Sequence, residues 1–74
     1  MALSIQGESL IIKLYLRGDT AYHFDGDSVL HHGTQDTLYI RHGGYLLERP
    51  GCQPLYFSKS IVGLSEALDA LTEL

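Results

Sequence analysis

The sequence predicts an α+β fold: an antiparallel β-meander of five or six short strands, with one C-terminal amphipathic helix packed on one face. Three observations predict it. Turn residues recur at short intervals, apolar and aromatic residues fill the runs between them, and the C-terminal stretch changes from a two-residue to a helical period.

The punctuation is Gly18-Asp19, Asp25-Gly26, His32-Gly33-Thr34, Gly43-Gly44 and Pro50-Gly51, each with a residue that accepts positive φ or pre-sets a turn. The first strand is expected over residues 10–16, where Leu10, Ile12, Leu14 and Leu16 fall on one face and Ile11, Lys13 and Tyr15 on the other. Strands over residues 20–24, 29–32, 37–42, 45–48 and 55–58 follow, rich in Tyr, Leu, Ile, Val and Phe. Ile61, Leu64, Leu68 and Leu71 then recur at helical spacing, while Glu66, Asp69 and Glu73 point elsewhere. Ser60 and Ser65 both suit the N-cap of that helix. Ser65 is the preferred start, because it puts Glu66 in the first turn, whereas a helix begun at Ser60 must carry Gly63.

A chain of 74 residues holds one domain. Residues 1–8 are expected to form a loosely ordered N-terminus, residues 9–58 the sheet and residues 64–73 the helix. A fold of this mass buries only about 62% of the surface of its unfolded chain, so self-association would add needed burial, and the exposed sheet edges favour it too. A homodimer is therefore expected. With 45% apolar residues and 19% charged ones, the chain has the apolar surface that a disordered acidic tail lacks. The formal charge of -4 disfavours phosphate backbones and anionic membranes as partners. Cys52 is the sole cysteine, so no internal disulfide forms; that fits a reducing cytoplasm, and no apolar run reaches membrane-spanning length.

The sheet face away from the helix is the informative surface. On the expected alternation, Lys13, Tyr15 and Arg17 of the first strand share it with Tyr39 and Arg41 of the fourth. Charge is unevenly spread: residues 1–36 carry two basic and five acidic residues, residues 37–63 three basic and one acidic, and residues 64–74 three acidic only. Aromatic residues interleaved with Arg and Lys on an open sheet stack the bases of single-stranded nucleic acid, and they also build protein hot spots. The net charge favours the protein partner. The acidic set Asp25, Asp27, Glu66, Asp69 and Glu73, together with Asp19 and Asp36, offers a second, weaker surface for a basic groove.

No catalytic, cofactor or metal site is read. The four histidines, His23, His31, His32 and His42, lack ligand spacing, and adjacent His31 and His32 point to opposite faces of a strand. Asp25-Gly26-Asp27-Ser28 lacks the distal Glu of a calcium loop and reads as a hairpin turn. Arg17-Gly18-Asp19 reads as a turn between strands, Gly43-Gly44 precedes a strand where a phosphate loop needs a helix, and Cys52 reads as a structural thiol between two prolines. One helix on one small sheet seldom encloses an active-site pocket, so a non-enzyme is expected.

The segment Leu38-Tyr39-Ile40-Arg41-His42-Gly43-Gly44-Tyr45-Leu46-Leu47, followed by Leu64-Ser65-Glu66-Ala67-Leu68, resembles the strand-turn-strand-helix pattern of small bacterial and phage proteins. Pro50-Gly51-Cys52 with Ser65-Glu66-Ala67-Leu68 resembles antitoxins of the HicB type, although the acidic strand residues usual before that Pro-Gly-Cys are absent. At the level of class, a short acidic α+β chain without a catalytic motif is similar to anti-CRISPR and other anti-defence proteins of phages and mobile elements. That resemblance implies inhibition by occluding a surface on a larger protein such as a nuclease or surveillance complex, in the host cytoplasm if the chain is phage-borne. The alternatives are a single-stranded nucleic-acid-binding sheet using Lys13, Tyr15, Tyr39 and Arg41, or an antitoxin-like regulator.

Overall fold

The computed structural model describes residues 5–17 and 19–72. In chain order the elements are α1 (Ile5–Leu16), β1 (Tyr22–Asp25), β2 (Ser28–His31), β3 (Thr37–Arg41), β4 (Gly44–Glu48), β5 (Leu55–Phe57) and α2 (Ile61–Thr72). The strands form one five-stranded antiparallel sheet in sequential order, so the meander and the C-terminal helix are as the sequence predicts. A two-residue turn, Gly26-Asp27, joins β1 to β2, and Gly26 has the positive φ that the first central position of a type II′ hairpin requires. The Asp-Gly-Asp-Ser run is thus a hairpin.

The expected first strand over residues 10–16 is a helix. Apolar residues fill six of those seven positions, and so nearly continuous a run carries no decisive two-residue alternation. The spacing that decides it is four: Glu8, Ile12 and Leu16 lie on one helical stripe and are all buried. Residues 5–8, expected to be loose, belong to the same helix, and residues 1–4 lie outside the described residues. The sheet accordingly spans residues 22–57, within the expected 9–58. Arg17, with φ of 54°, ends α1, so the segment around Arg17 and Asp19 connects a helix to a strand and is not a hairpin turn.

Helix α2 begins at Ile61, earlier than the expected start near Ser65. Ser60 caps it: its Oγ accepts a hydrogen bond from the Gly63 N–H at 3.0 Å. Gly63 belongs in this helix because any Cβ there would overlap the Ser58 carbonyl oxygen, where the β5–α2 connection crosses the first turn. That close approach outweighs the roughly 1 kcal/mol that glycine costs inside a helix.

Both helices pack on one side of the sheet, α1 against β3 and α2 against β3, β4 and β5. The strand register carries Phe24, Val29, Leu38, Leu47 and Leu55 across this inner face as one row, with Ile40, Tyr45 and Phe57 in the next. Ile12 and Leu16 cover it from α1, and Leu64, Ala67, Leu68 and Leu71 from α2. Each large aliphatic residue removed from water here contributes about 1.5–3 kcal/mol.

Two polar ties cross this core. Arg49 at the end of β4 donates from Nε to Asp36 Oδ2 (3.3 Å) and from Nη2 to the Ala70 carbonyl (2.8 Å), which fixes the C-terminal turn of α2 to the sheet. Glu8, buried within α1, accepts a short hydrogen bond from the Tyr45 hydroxyl on Oε2 and holds Lys59 Nζ 2.5 Å from Oε1. Lys59 Nζ also donates to the Arg41 carbonyl at 2.8 Å. Burial first, and the hydrogen bond to Glu8 second, push the Tyr45 phenol well above its ordinary range. Tyr22 is raised as well, by burial and then by the charge of Asp19.

Candidate partner-binding face

The outer face of the sheet faces away from both helices. Because Leu38 and Ile40 point inward and are fully buried, Tyr39 and Arg41 point outward, as the alternation predicts. Register then assembles the rest: Asp25, Ser28, Tyr39, Leu46 and Tyr56 form a row across all five strands, beside a second row of His23, Leu30, Thr37 and Glu48. Tyr56, 78% exposed, stands on the edge strand.

Lys13, Tyr15 and Arg17 are not on this face. They belong to α1 and its C-terminal end, on the other side of the sheet, because residues 10–16 coil instead of extending. Lys13 Nζ lies 5.4 Å from the Phe24 ring, and Tyr15 is 51% exposed on the outward side of α1 beside Leu10, Ile11 and Leu14. The five residues expected on one surface thus divide into a sheet pair and a helix trio.

Arg41 is held by two neighbours. Its guanidinium carbon lies 4.7 Å from the Tyr39 ring centroid, and Nη1 donates to Asp27 Oδ2 at 2.8 Å. The pair is about half exposed on each side, so it contributes at most about 1 kcal/mol to stability. The second bond from Nη1 goes to the Ile40 carbonyl, and among the described residues the Nε and Nη2 edge meets no acceptor.

Next to Arg41 the face is notched. Gly44 carries no side chain at an outward position, and none fits: its φ is +147° and a Cβ would overlap the Phe57 carbonyl oxygen. The resulting cavity, of about 300 Å³, is lined by Arg41, Gly43, Gly44, Tyr45, Leu46, Tyr56 and Phe57. It is mostly apolar, with one guanidinium on its rim. Leu46, Tyr56 and the notch were missed from sequence. The middle positions of Tyr45-Leu46-Leu47 and Leu55-Tyr56-Phe57 share the parity of Tyr39, and register is what carries that parity across strands.

The acidic residues occupy separate places. Asp25 and Asp27 sit at the β1–β2 turn next to Tyr39 and Arg41, Glu66 and Asp69 line a shallow depression on α2 beside Phe57, and Glu73 lies outside the described residues. His31 is buried, with Nδ1 accepting from the Thr34 N–H at 3.1 Å and its ring edge-on to Tyr22. The His23 and His32 rings are 6.1 Å apart, and among the described residues no three His, Cys, Asp or Glu side chains gather as a metal site. Cys52 is exposed in the β4–β5 connection, not packed as a small apolar residue. Among the described residues no helix is long and apolar enough to cross a membrane. In comparisons with family models, curated proteins and solved structures, nothing matches this chain.

Proposed function

We propose that this chain is a non-enzymatic cytoplasmic protein that regulates a larger protein partner by covering part of its surface, in the manner of anti-CRISPR and other anti-defence inhibitors. One observation carries the reading: Tyr39, Leu46 and Tyr56 lie in register across three strands, beside Arg41, on a sheet face that no described element covers. Aromatic residues and Arg are the side chains that dominate protein hot spots. The nucleic-acid alternative has less support than the sequence gives it. With Lys13 and Tyr15 on α1, Arg41 is the one Lys or Arg among the described outer-face residues, alongside Asp25, Asp27 and Glu48, a poor balance for tracking phosphates. A pull-down with and without nuclease tests this. One stoichiometric protein retained after nuclease supports the reading, and capture lost on nuclease treatment overturns it in favour of nucleic acid.

A second reading, homodimerisation, is favoured by the outward side of α1. Leu10 (57% exposed), Ile11, Leu14 (68%) and Tyr15 are helical neighbours, so they form one apolar patch. That patch itself carries no acidic residue, so two copies can bring it together without setting carboxylates of the patch against each other. Light scattering is expected to show a dimer that Leu14→Glu converts to monomer; a wild-type monomer at high concentration contradicts it.

A further inference from the structure

We propose that the notch over Gly43 and Gly44 is an anchor pocket for one large apolar side chain of the partner flanked by an acidic residue. The inference rests on the binding-face reading and specifies the chemistry of its partner. Three observations converge on it. The cavity of about 300 Å³ is at the small end for ligand sites; a cavity of about 150 Å³ holds a benzene, so there is room for a Phe ring and part of the residue beside it. Its walls, Leu46 and Tyr56, are apolar, and its floor is glycine backbone that β5 prevents from bearing a side chain at position 44. Arg41 lines the same cavity, with Nη1 committed to Asp27 and Ile40 and its Nε–Nη2 edge left over, the fork that grips a carboxylate through two parallel bonds.

The acid must sit next to the apolar residue, because guanidinium and notch are contiguous. The Tyr39 ring beneath Arg41 and the Asp27 bond hold the guanidinium in place, so little ordering remains to be done on binding. Asp27 also sets the selectivity. A cationic neighbour on the partner would meet Asp27 and Arg41 already paired, whereas a carboxylate finds unused donors.

The test uses the isotope-labelled full chain and three capped dipeptides, acetyl-Glu-Phe-amide, acetyl-Gln-Phe-amide and acetyl-Glu-Ala-amide, read by amide and Arg Nε chemical shifts. The first is expected to shift Gly43, Gly44, Leu46, Tyr56 and Arg41 Nε. The second should bind about tenfold more weakly, one charge-assisted bond being worth about that factor, and the third should not bind detectably. Gly43→Leu is the blocking variant, because a Cβ at Gly43 meets nothing within 4 Å and the backbone there is not left-handed. It should abolish the shifts with an unchanged melting temperature. Arg41→Gln should keep binding but equalise the Glu and Gln peptides.

Shifts elsewhere on the sheet, undiminished binding to Gly43→Leu, or no binding by any dipeptide would overturn the pocket. Tighter binding of acetyl-phenylalanine with a free carboxylate would overturn the internal acidic residue in favour of a chain terminus. Failure of the pocket and failure of the binding face are separable. Partner capture retained by Gly43→Leu but lost by Tyr39→Ala with Arg41→Ala refutes the first and keeps the second.

Discussion

Two helices of twelve residues lie on the same face of one sheet, and they are built in opposite senses. Helix α2 buries Leu64, Ala67, Leu68 and Leu71 and turns Ser65, Glu66 and Asp69 outward, with Ile61 and Val62 exposed in its first turn, close to the ordinary arrangement for a helix half in water. Helix α1 buries Glu8 and Ser9 with Ile12 and Leu16, and turns Leu10, Ile11, Leu14 and Tyr15 outward. Each inward polar group of α1 has a partner: Tyr45 and Lys59 for Glu8, and the Gly26 carbonyl for Ser9 at 3.0 Å. Its outward apolar groups stay partly in water, from 38% exposed at Ile11 to 68% at Leu14. The difference teaches that α2 is held by apolar burial, with exposed apolar residues confined to Ile61 and Val62 in its first turn, whereas α1 is pinned to the sheet through a buried charge and is apolar along its outward side.

The first way to break this comparison is Glu8→Ala. It leaves Lys59 with only the Arg41 carbonyl and Tyr45 without its acceptor in a largely buried site, so about 3 kcal/mol is expected to be lost, a large share of the stability of so small a domain. Urea titration measures it. Replacing all three groups, with Glu8→Met, Tyr45→Phe and Lys59→Met together, should recover most of that loss, since an apolar trio needs no partners.

A second pair of substitutions sharpens the contrast between the helices. Leu68→Ala on α2 should cost about 2–5 kcal/mol by opening a cavity, while Leu14→Ala on α1 should stay within about 0.5 kcal/mol in dilute solution. Comparable losses at the two positions would mean that α1 is covered in the monomer.

The mildest effect is alkaline. The fold favours the neutral Tyr45 phenol, so its folded-state value lies above the unfolded 10.0. The corresponding stabilisation is complete below about pH 10 and lost as pH rises beyond it. Tyr22 acts in the same direction. Thermal melts between pH 8 and 11 should show this fall, and Tyr45→Phe should flatten the larger part of it.

How much of this was legible follows the same division. The strands announced themselves because turn residues bound them, and α2 because Ile61, Leu64, Leu68 and Leu71 recur at helical spacing. Helix α1 was hidden by its outward apolar residues: Leu10 and Leu14 completed a false two-residue alternation with Ile12 and Leu16. Only the burial of Glu8, a polar residue that no sequence pattern would place inside, makes the four-residue stripe visible. On the outer face, Tyr39 and Arg41 were legible from their own strand. The notch was not, because it arises where β5 backbone crosses Gly44, a contact between residues 13 positions apart.

The central claim is that the outer sheet face captures a protein, and the most direct test compares three baits in one nuclease-treated lysate. Wild type and Leu14→Glu are expected to retain the same stoichiometric protein, and Tyr39→Ala with Arg41→Ala, folded by circular dichroism, to retain none of it. Equal capture by the double variant would contradict the account, and loss of capture by Leu14→Glu alone would move the binding surface to α1.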